Sequence, residues 1–203
     1  MSLIICPGIH HPRLTETFIK ELLDQLQERG SAACQSETLL VFPTQDYPAY
    51  CAPEIFQFLQ AHLGSGATLR QPEASLIFIS FSAGVAGAIG AAWAWRQMGG
   101  RVKAFIALDG WGVPLYGDFP IYRLSHDYFT HWSSALLGGG EESFYASPPV
   151  EHLDLWRSPQ TVQGWWFRKT GFGFEPPIPT NAALFLATLI ERHDVLLPPV
   201  CEE

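Results

Sequence analysis

The chain has 203 residues, 47% of them apolar, with seven tryptophans. That is enough to build the core of one globular domain spanning 1–203, and too apolar and aromatic for disorder. The formal charge is -8 and the basic residues (Arg13, Lys20, Arg29 and Arg70 among them) are scattered, which excludes the concentrated positive field that nucleic acid or an anionic lipid surface demands.

The opening MSLIICPGIHHPRL has no basic residue ahead of a short apolar run, so it reads as a strand over 2–6 and not as a signal peptide. Leu14, Phe18, Leu22 and Leu26 recur every four residues and predict a helix over 14–30, closed by Gly30. ETLLVFP (37–43) is a short strand stopped by Pro43. Residues 52–64 form a second helix, with Pro53 in its first turn and Gly64 at its end. From Ala74 to Trp95 no side chain is charged, a length that could span a bilayer. The first part, SLIFIS, is β-branched and aromatic, whereas AGVAGAIGAAWAW is alanine-rich. That change of period predicts a strand over 75–80, a turn, and a helix from Ala83 to Met98. VKAFIALDG (102–110) is a further strand.

Beyond residue 112 the pattern loosens. PIYRLSHD (120–127) reads as a strand ending in an acid. ESFYASPPVEH (142–152) reads as a last strand with a loop bearing His152. Residues 154–167 read as helical segments interrupted at Pro159, residues 169–179 as an extended Gly/Pro stretch, and residues 180–193 as a capped terminal helix. Apolar strands alternating with helices predict an α/β fold: a mostly parallel central sheet with helices on both faces, in three layers. Ligands of such sheets bind beyond the carboxyl ends of the strands. The four cysteines, Cys6, Cys34, Cys51 and Cys201, form no C-x-x-C pair and read as reduced thiols of a cytoplasmic protein.

Ser80-Phe81-Ser82-Ala83-Gly84 falls at the strand-to-helix turn. Small residues at 80 and 84 let strand and helix approach closely, with Ser82 at the apex of a sharp bend. This motif resembles the nucleophile elbow of the α/β-hydrolase fold family, with Ser80 where that family usually has glycine. The resemblance implies a three-layer α/β-hydrolase-like sandwich without a large cap, since only about ten residues separate Gly110 from Pro120. It also implies the order serine, acid, histidine along the chain. Ser82 is then the nucleophile, His152 the general base, and Asp127 the orienting carboxylate, with Asp109 as the alternative acid. An oxyanion hole would be formed by the amides of Ala83 and of Ile9, or of His10, in the loop CPGIHH, where Gly8 allows close approach. His10, Trp111 and Tyr128 are candidate pocket residues. The loop 112–119 and the segments 128–140 and 171–179 are candidates for limiting the substrate.

These residues predict a serine hydrolase that cleaves a carboxylic ester or thioester through an acyl-enzyme on Ser82. It would need no cofactor and no resident metal, and it would contact neither nucleic acid nor membrane; a homodimer is left open. Two alternatives stand beside it. One is a catalytically silent binding protein on the same scaffold. The other is a metal-dependent hydrolase, since His10, His11, His126, His131, His152 and Asp127 all fall at or beyond strand ends. His193 and His62 read as solvated residues.

Overall fold

A computed structural model describes residues 1–30, 38–64, 74–170 and 173–194. The strands are β1 (Ser2–Cys6), β2 (Thr38–Val41), β3 (Ser75–Phe81), β4 (Arg101–Leu108), β5 (Ile121–Ser125), β6 (Glu142–Ala146), β7 (Gln163–Thr170), β8 (Gly173–Phe174) and β9 (Ile178–Asn181). The helices are α1 (Pro12–Glu28), α2 (Ala52–Leu63), α3 (Ala83–Gln97), α4 (Tyr128–Ala135), α5 (His152–Arg157) and α6 (Ala182–Asp194). The chain is thus α/β. The sheet runs β2-β1-β3-β4-β5-β6-β7-β8, with β9 also paired to β7. The strands from β2 to β6 pair in parallel, whereas β7, β8 and β9 pair antiparallel.

Fully apolar strands follow from two covered faces. Leu3, Ile5, Ile77, Ile79 and Phe81 point to one core, where they meet Phe18, Leu22 and Leu26 of α1, Trp156 of α5 and Phe185 of α6. The alternate residues Ile4, Cys6, Leu76 and Phe78 point to the other, against Ile55 and Leu59 of α2 and Val85, Ala88 and Trp95 of α3. Each of the larger buried side chains contributes about 1.5–3 kcal/mol of transfer free energy. Among the described residues no helix is long and apolar enough to cross a membrane. The uncharged stretch from 74 to 95 is β3, the bend at Ser82 and most of α3.

Parts of the chain differ from the sequence reading. Residues 154–167 are helical only as far as Arg157. Gln163–Thr170 is a strand instead, pairing with β6 in the register Phe144↔Trp166. Gly164 permits this approach, since a Cβ there would lie 2.1 Å from the Tyr145 carbonyl oxygen. α4 is a helix where no element was read, and Glu142–Ala146, read as the last strand, is followed by β7, β8 and β9, with Thr180 and Asn181 in β9 and not in the terminal helix. Cys6 and Cys51 are free; burial pushes the Cys6 thiol far up, so it is inert. Cys34, Cys201, Arg70 and residues 171–172 lie outside the described residues.

The strand order reverses between β1 and β3. β1 leads outward to β2 on one side, and β3 begins the run to β6 on the other. The crevice beyond such a reversal is where open α/β sheets hold ligands. Here residues 7–9 and the bend at Ser82 meet at that point, with Gly8 packed directly on Ser82 and Phe81.

Candidate active site

Ser82 sits between β3 and α3 with φ 53° and ψ -124°, a conformation that side chains rarely adopt. Its amide donates to the Leu108 carbonyl at 2.9 Å, which ties the bend to the end of β4. Its hydroxyl makes no capping bond to α3; it lies 3.0 Å from His152 Nε2 instead. The small residues around it have measurable reasons. A Cβ at Gly84 would fall 2.4 Å from the carbonyl oxygens of both Cys6 and Pro7, and one at Gly8 would fall 2.9 Å from Ser82 Cβ. Ser80 is fully buried, and its hydroxyl donates to the Ile106 carbonyl at 3.2 Å, so a serine is accommodated there.

His152 opens α5, half exposed. Its ring lies flat on Phe81 with centroids 4.6 Å apart, and Phe81 in turn stacks on Trp156 at 5.0 Å. Trp156 stacks on Phe18 of α1 at 3.7 Å. This aromatic column fixes the imidazole plane from below. His152 Nδ1 lies 2.8 Å from Asp109 Oδ2. A hydroxyl, an imidazole and a carboxylate in that line can move a proton off the hydroxyl and stabilise the resulting imidazolium.

The carboxylate against His152 is therefore Asp109, the alternative acid, and not Asp127. Asp127 Oδ1 instead accepts the Thr130 amide at 2.6 Å, and so caps α4. Asp109 follows β4 with φ 51°; among the described residues only it and Ser82 are non-glycine residues at positive φ. It is 5% exposed. Burial by itself raises its pKa, but hydrogen bonds from the His126 and His152 rings and from the His126 amide hold the carboxyl below the usual carboxylate range. The His126 amide reaches Oδ1 at 2.9 Å and His126 Nδ1 reaches Oδ2 at 2.8 Å. His126 itself is raised above the ordinary imidazole value, chiefly by its hydrogen bond to Asp109, with burial opposing and the charges of Asp109, Asp127 and Glu151 adding.

A cleft of about 380 Å³ opens over these groups, lined by Ser82, Ala83, Asp109, Trp111, Val113, His126, Thr130 and His152. Of the pocket residues read from sequence, Trp111 is in this lining and donates its indole N–H to Ser133 Oγ at 3.0 Å. His10 lies outside it, packed on Phe81 and Trp156 with its pKa lowered by burial. Tyr128 packs on His131 and Tyr145. Ala83 lines the cleft, while Ile9 follows Gly8 in the loop pressed on the bend, its side chain 75% exposed. The loop 112–119 reaches the cleft through Val113 and the segment 128–140 through Thr130; of the stretch 171–179, residues 175–179 are absent from this lining, and 171–172 lie outside the described residues. Arg123 fastens the two loops from beneath. Its buried guanidinium donates to the carbonyls of Val113, Leu137 and Gly138, and burial pushes it down to about 10.

Most of the other histidines do not converge. His11 caps α1 by accepting the Arg13 amide, and His131 packs between Tyr145 and Phe167. His193, read as solvated, is half-buried with Nε2 2.8 Å from the Tyr122 hydroxyl; His62 is exposed. Among the described residues, Asp109, His126 and His152 have donor atoms within 4.8 Å of one another. Donors on one zinc stand roughly 3.3 Å apart at tetrahedral angles. The two Nδ1 atoms each lie 2.8 Å from a single oxygen, which is hydrogen-bond spacing. Phe81, Val113 and Thr130 were not read as site residues. Phe81 carried a signal, as the residue inside the S-F-S-A-G turn, whereas Val113 and Thr130 reach the cleft only through tertiary packing. Comparison with family models, curated proteins and solved structures returns no match.

Proposed function

We propose that this chain is a serine hydrolase of carboxylic esters or thioesters on an α/β-hydrolase-like scaffold. The observation that carries the reading is the line from Ser82 Oγ through the His152 ring to Asp109 Oδ2, with spacings of 3.0 and 2.8 Å. The strained backbone at Ser82 and Asp109 supports it, because such conformations collect at working sites. The cleft is small, and Trp111 and Val113 give it apolar walls suited to a short acyl group.

In the proposed cycle Ser82 Oγ attacks the acyl carbon as His152 Nε2 takes its proton. The amides of Ala83 and Ile9 hold the oxygen that becomes negative, and the N-terminus of α3 favours the same charge. The imidazolium returns its proton to the leaving alkoxide or thiolate, which departs. Water, deprotonated by His152, then attacks the acyl-serine, and the carboxylic acid and the Ser82 hydroxyl are released. Asp109 stays ionised and keeps the Nδ1–H tautomer of His152.

A fluorophosphonate probe tests this directly. It should label Ser82 in the native chain and leave Ser82→Ala unlabelled, with turnover of a short-chain nitrophenyl ester reduced by at least ~10⁴-fold in that variant. An unlabelled native chain would refute the hydrolase and point to a binding role on the same scaffold.

A further inference from the structure

His126 is not needed for a serine, a histidine and a carboxylate to work in line, yet it holds both oxygens of Asp109. Its main-chain N–H donates to Oδ1 at 2.9 Å, and its ring Nδ1 lies 2.8 Å from Oδ2, the same oxygen that His152 uses. Its other ring nitrogen, Nε2, stands 3.7 Å from Asp127 Oδ2. A neutral ring that donates from Nδ1 must turn a lone pair at Nε2 toward that second carboxylate, which repels it. A doubly protonated ring presents an N–H to each acid. The placement between Asp109 and Asp127 therefore favours the imidazolium.

The charge on His126 matters to its neighbour. An oxygen that already accepts from a cation has less negative charge to offer a second imidazole. We propose that His126 is a proton-carrying positioning residue: it grips the Asp109 carboxylate on both oxygens, and the gain or loss of its Nε2 proton sets how strongly that carboxylate supports His152. The groups acting on it are Asp109 at the end of β4, Asp127 beside it in the chain, Glu151 from the turn before α5, and the His152 ring from α5, edge to face with centroids 5.9 Å apart. At lower pH His126 is cationic and screens Asp109. As pH rises the Nε2 proton passes to solvent, Nδ1–H stays on Asp109, and the full carboxylate charge is released to His152. Turnover rises with that step, which lies on the alkaline side of the ordinary imidazole value.

The kinetic half of this inference rests on the hydrolase reading, and the structural half does not, so two readouts are needed. The His126 Cε1–H signal is followed by NMR across pH in the full chain and in Asp127→Asn. kcat/KM for a short-chain ester is followed across pH in the same chains and in His126→Asn. His126 should titrate above the free-imidazole value of about 6.5, and Asp127→Asn should move that titration to lower pH. Asparagine caps helices as well as aspartate, so α4 should survive that change. In kcat/KM the inflection assigned to His126 should move with it in Asp127→Asn and vanish in His126→Asn, with kcat on the alkaline plateau reduced roughly tenfold because the ring N–H that holds Oδ2 is lost. A His126 signal that titrates at or below the ordinary value, or that ignores Asp127→Asn, overturns the inference even if the chain hydrolyses esters. If His126→Asn does not fold, the Asp127→Asn titration decides. If Ser82 is never labelled, the NMR result still decides whether His126 carries the bridging proton.

Discussion

Replacing Asp109 by asparagine gives the sharpest separation between the two acids. The new amide keeps the size of the carboxylate, and its orientation is dictated by its neighbours. The His126 main-chain N–H at 2.9 Å from Oδ1 requires an acceptor there, so the amide oxygen takes that place. The NH₂ group then occupies the Oδ2 position, 2.8 Å from Nδ1 of His152. Facing a donor, His152 Nδ1 must become the acceptor, which puts the ring proton on Nε2, against Ser82 Oγ at 3.0 Å. In that tautomer the imidazole cannot take the serine proton. The loss should be about 10³–10⁴ in kcat, or roughly 4–5.5 kcal/mol of transition-state stabilisation. Asp127→Asn keeps the cap on α4 and should cost less than about tenfold at the top of its pH profile. Both variants are compared in kcat and KM on a short-chain nitrophenyl ester, with circular dichroism to confirm folding. The reasoning fails if Asp109→Asn, properly folded, loses less than tenfold, or if Asp127→Asn loses as much as Asp109→Asn.

Gly84→Ala would drive a methyl to 2.4 Å from two main-chain oxygens; chemical denaturation should show about 3 kcal/mol or more of lost stability, and a midpoint near wild type would contradict the close approach. Arg123→Met takes the guanidinium donor from the carbonyls of Val113 and Gly138 and leaves that of Leu137 with the Leu115 amide alone; a fall of about 1–3 kcal/mol in stability together with a raised KM is expected, and an unchanged KM would detach these loops from the cleft. Because the folded pKa of Asp109 is depressed, its stabilisation is present above the unfolded value of about 3.9 and is lost as pH falls from there through the folded value; urea titrations in acid should show a shallower pH slope for Asp109→Asn than for the native chain.

Much of the architecture could be read from the chain, because its signals are local. The apolar runs 2–6, 75–81 and 101–108 are parallel strands covered on both faces, and the S-F-S-A-G turn is a bend that only small residues permit. What could not be read depends on distant partners. Residues 163–170 become a strand because Phe144, Tyr145 and Ala146 offer an edge to pair with, and the tryptophans alone do not announce it. α4 escaped notice because Tyr128, Phe129, Trp132 and Leu136 stand exposed where a surface helix usually carries charge. The exchange of Asp127 for Asp109 has a similar origin. β4 and β5 run side by side with Leu108 opposite Leu124, so Asp109 and the pair His126–Asp127 arrive at one place. Which carboxylate turns inward then depends on the positive φ of Asp109, which has no sequence signature, and on Asp127 capping α4, a role that aspartate ahead of a helix commonly takes.

Ser82 holds a backbone shape that glycine adopts freely and other residues adopt at a cost of about 1–3 kcal/mol, and its hydroxyl lies against His152, a ring already half open to water. The protein therefore works against its own durability at the one residue on which the proposed chemistry turns. Drifting to glycine there would add heat resistance while removing the hydroxyl the proposed turnover needs, and the silenced form would outlast this chain in a melt.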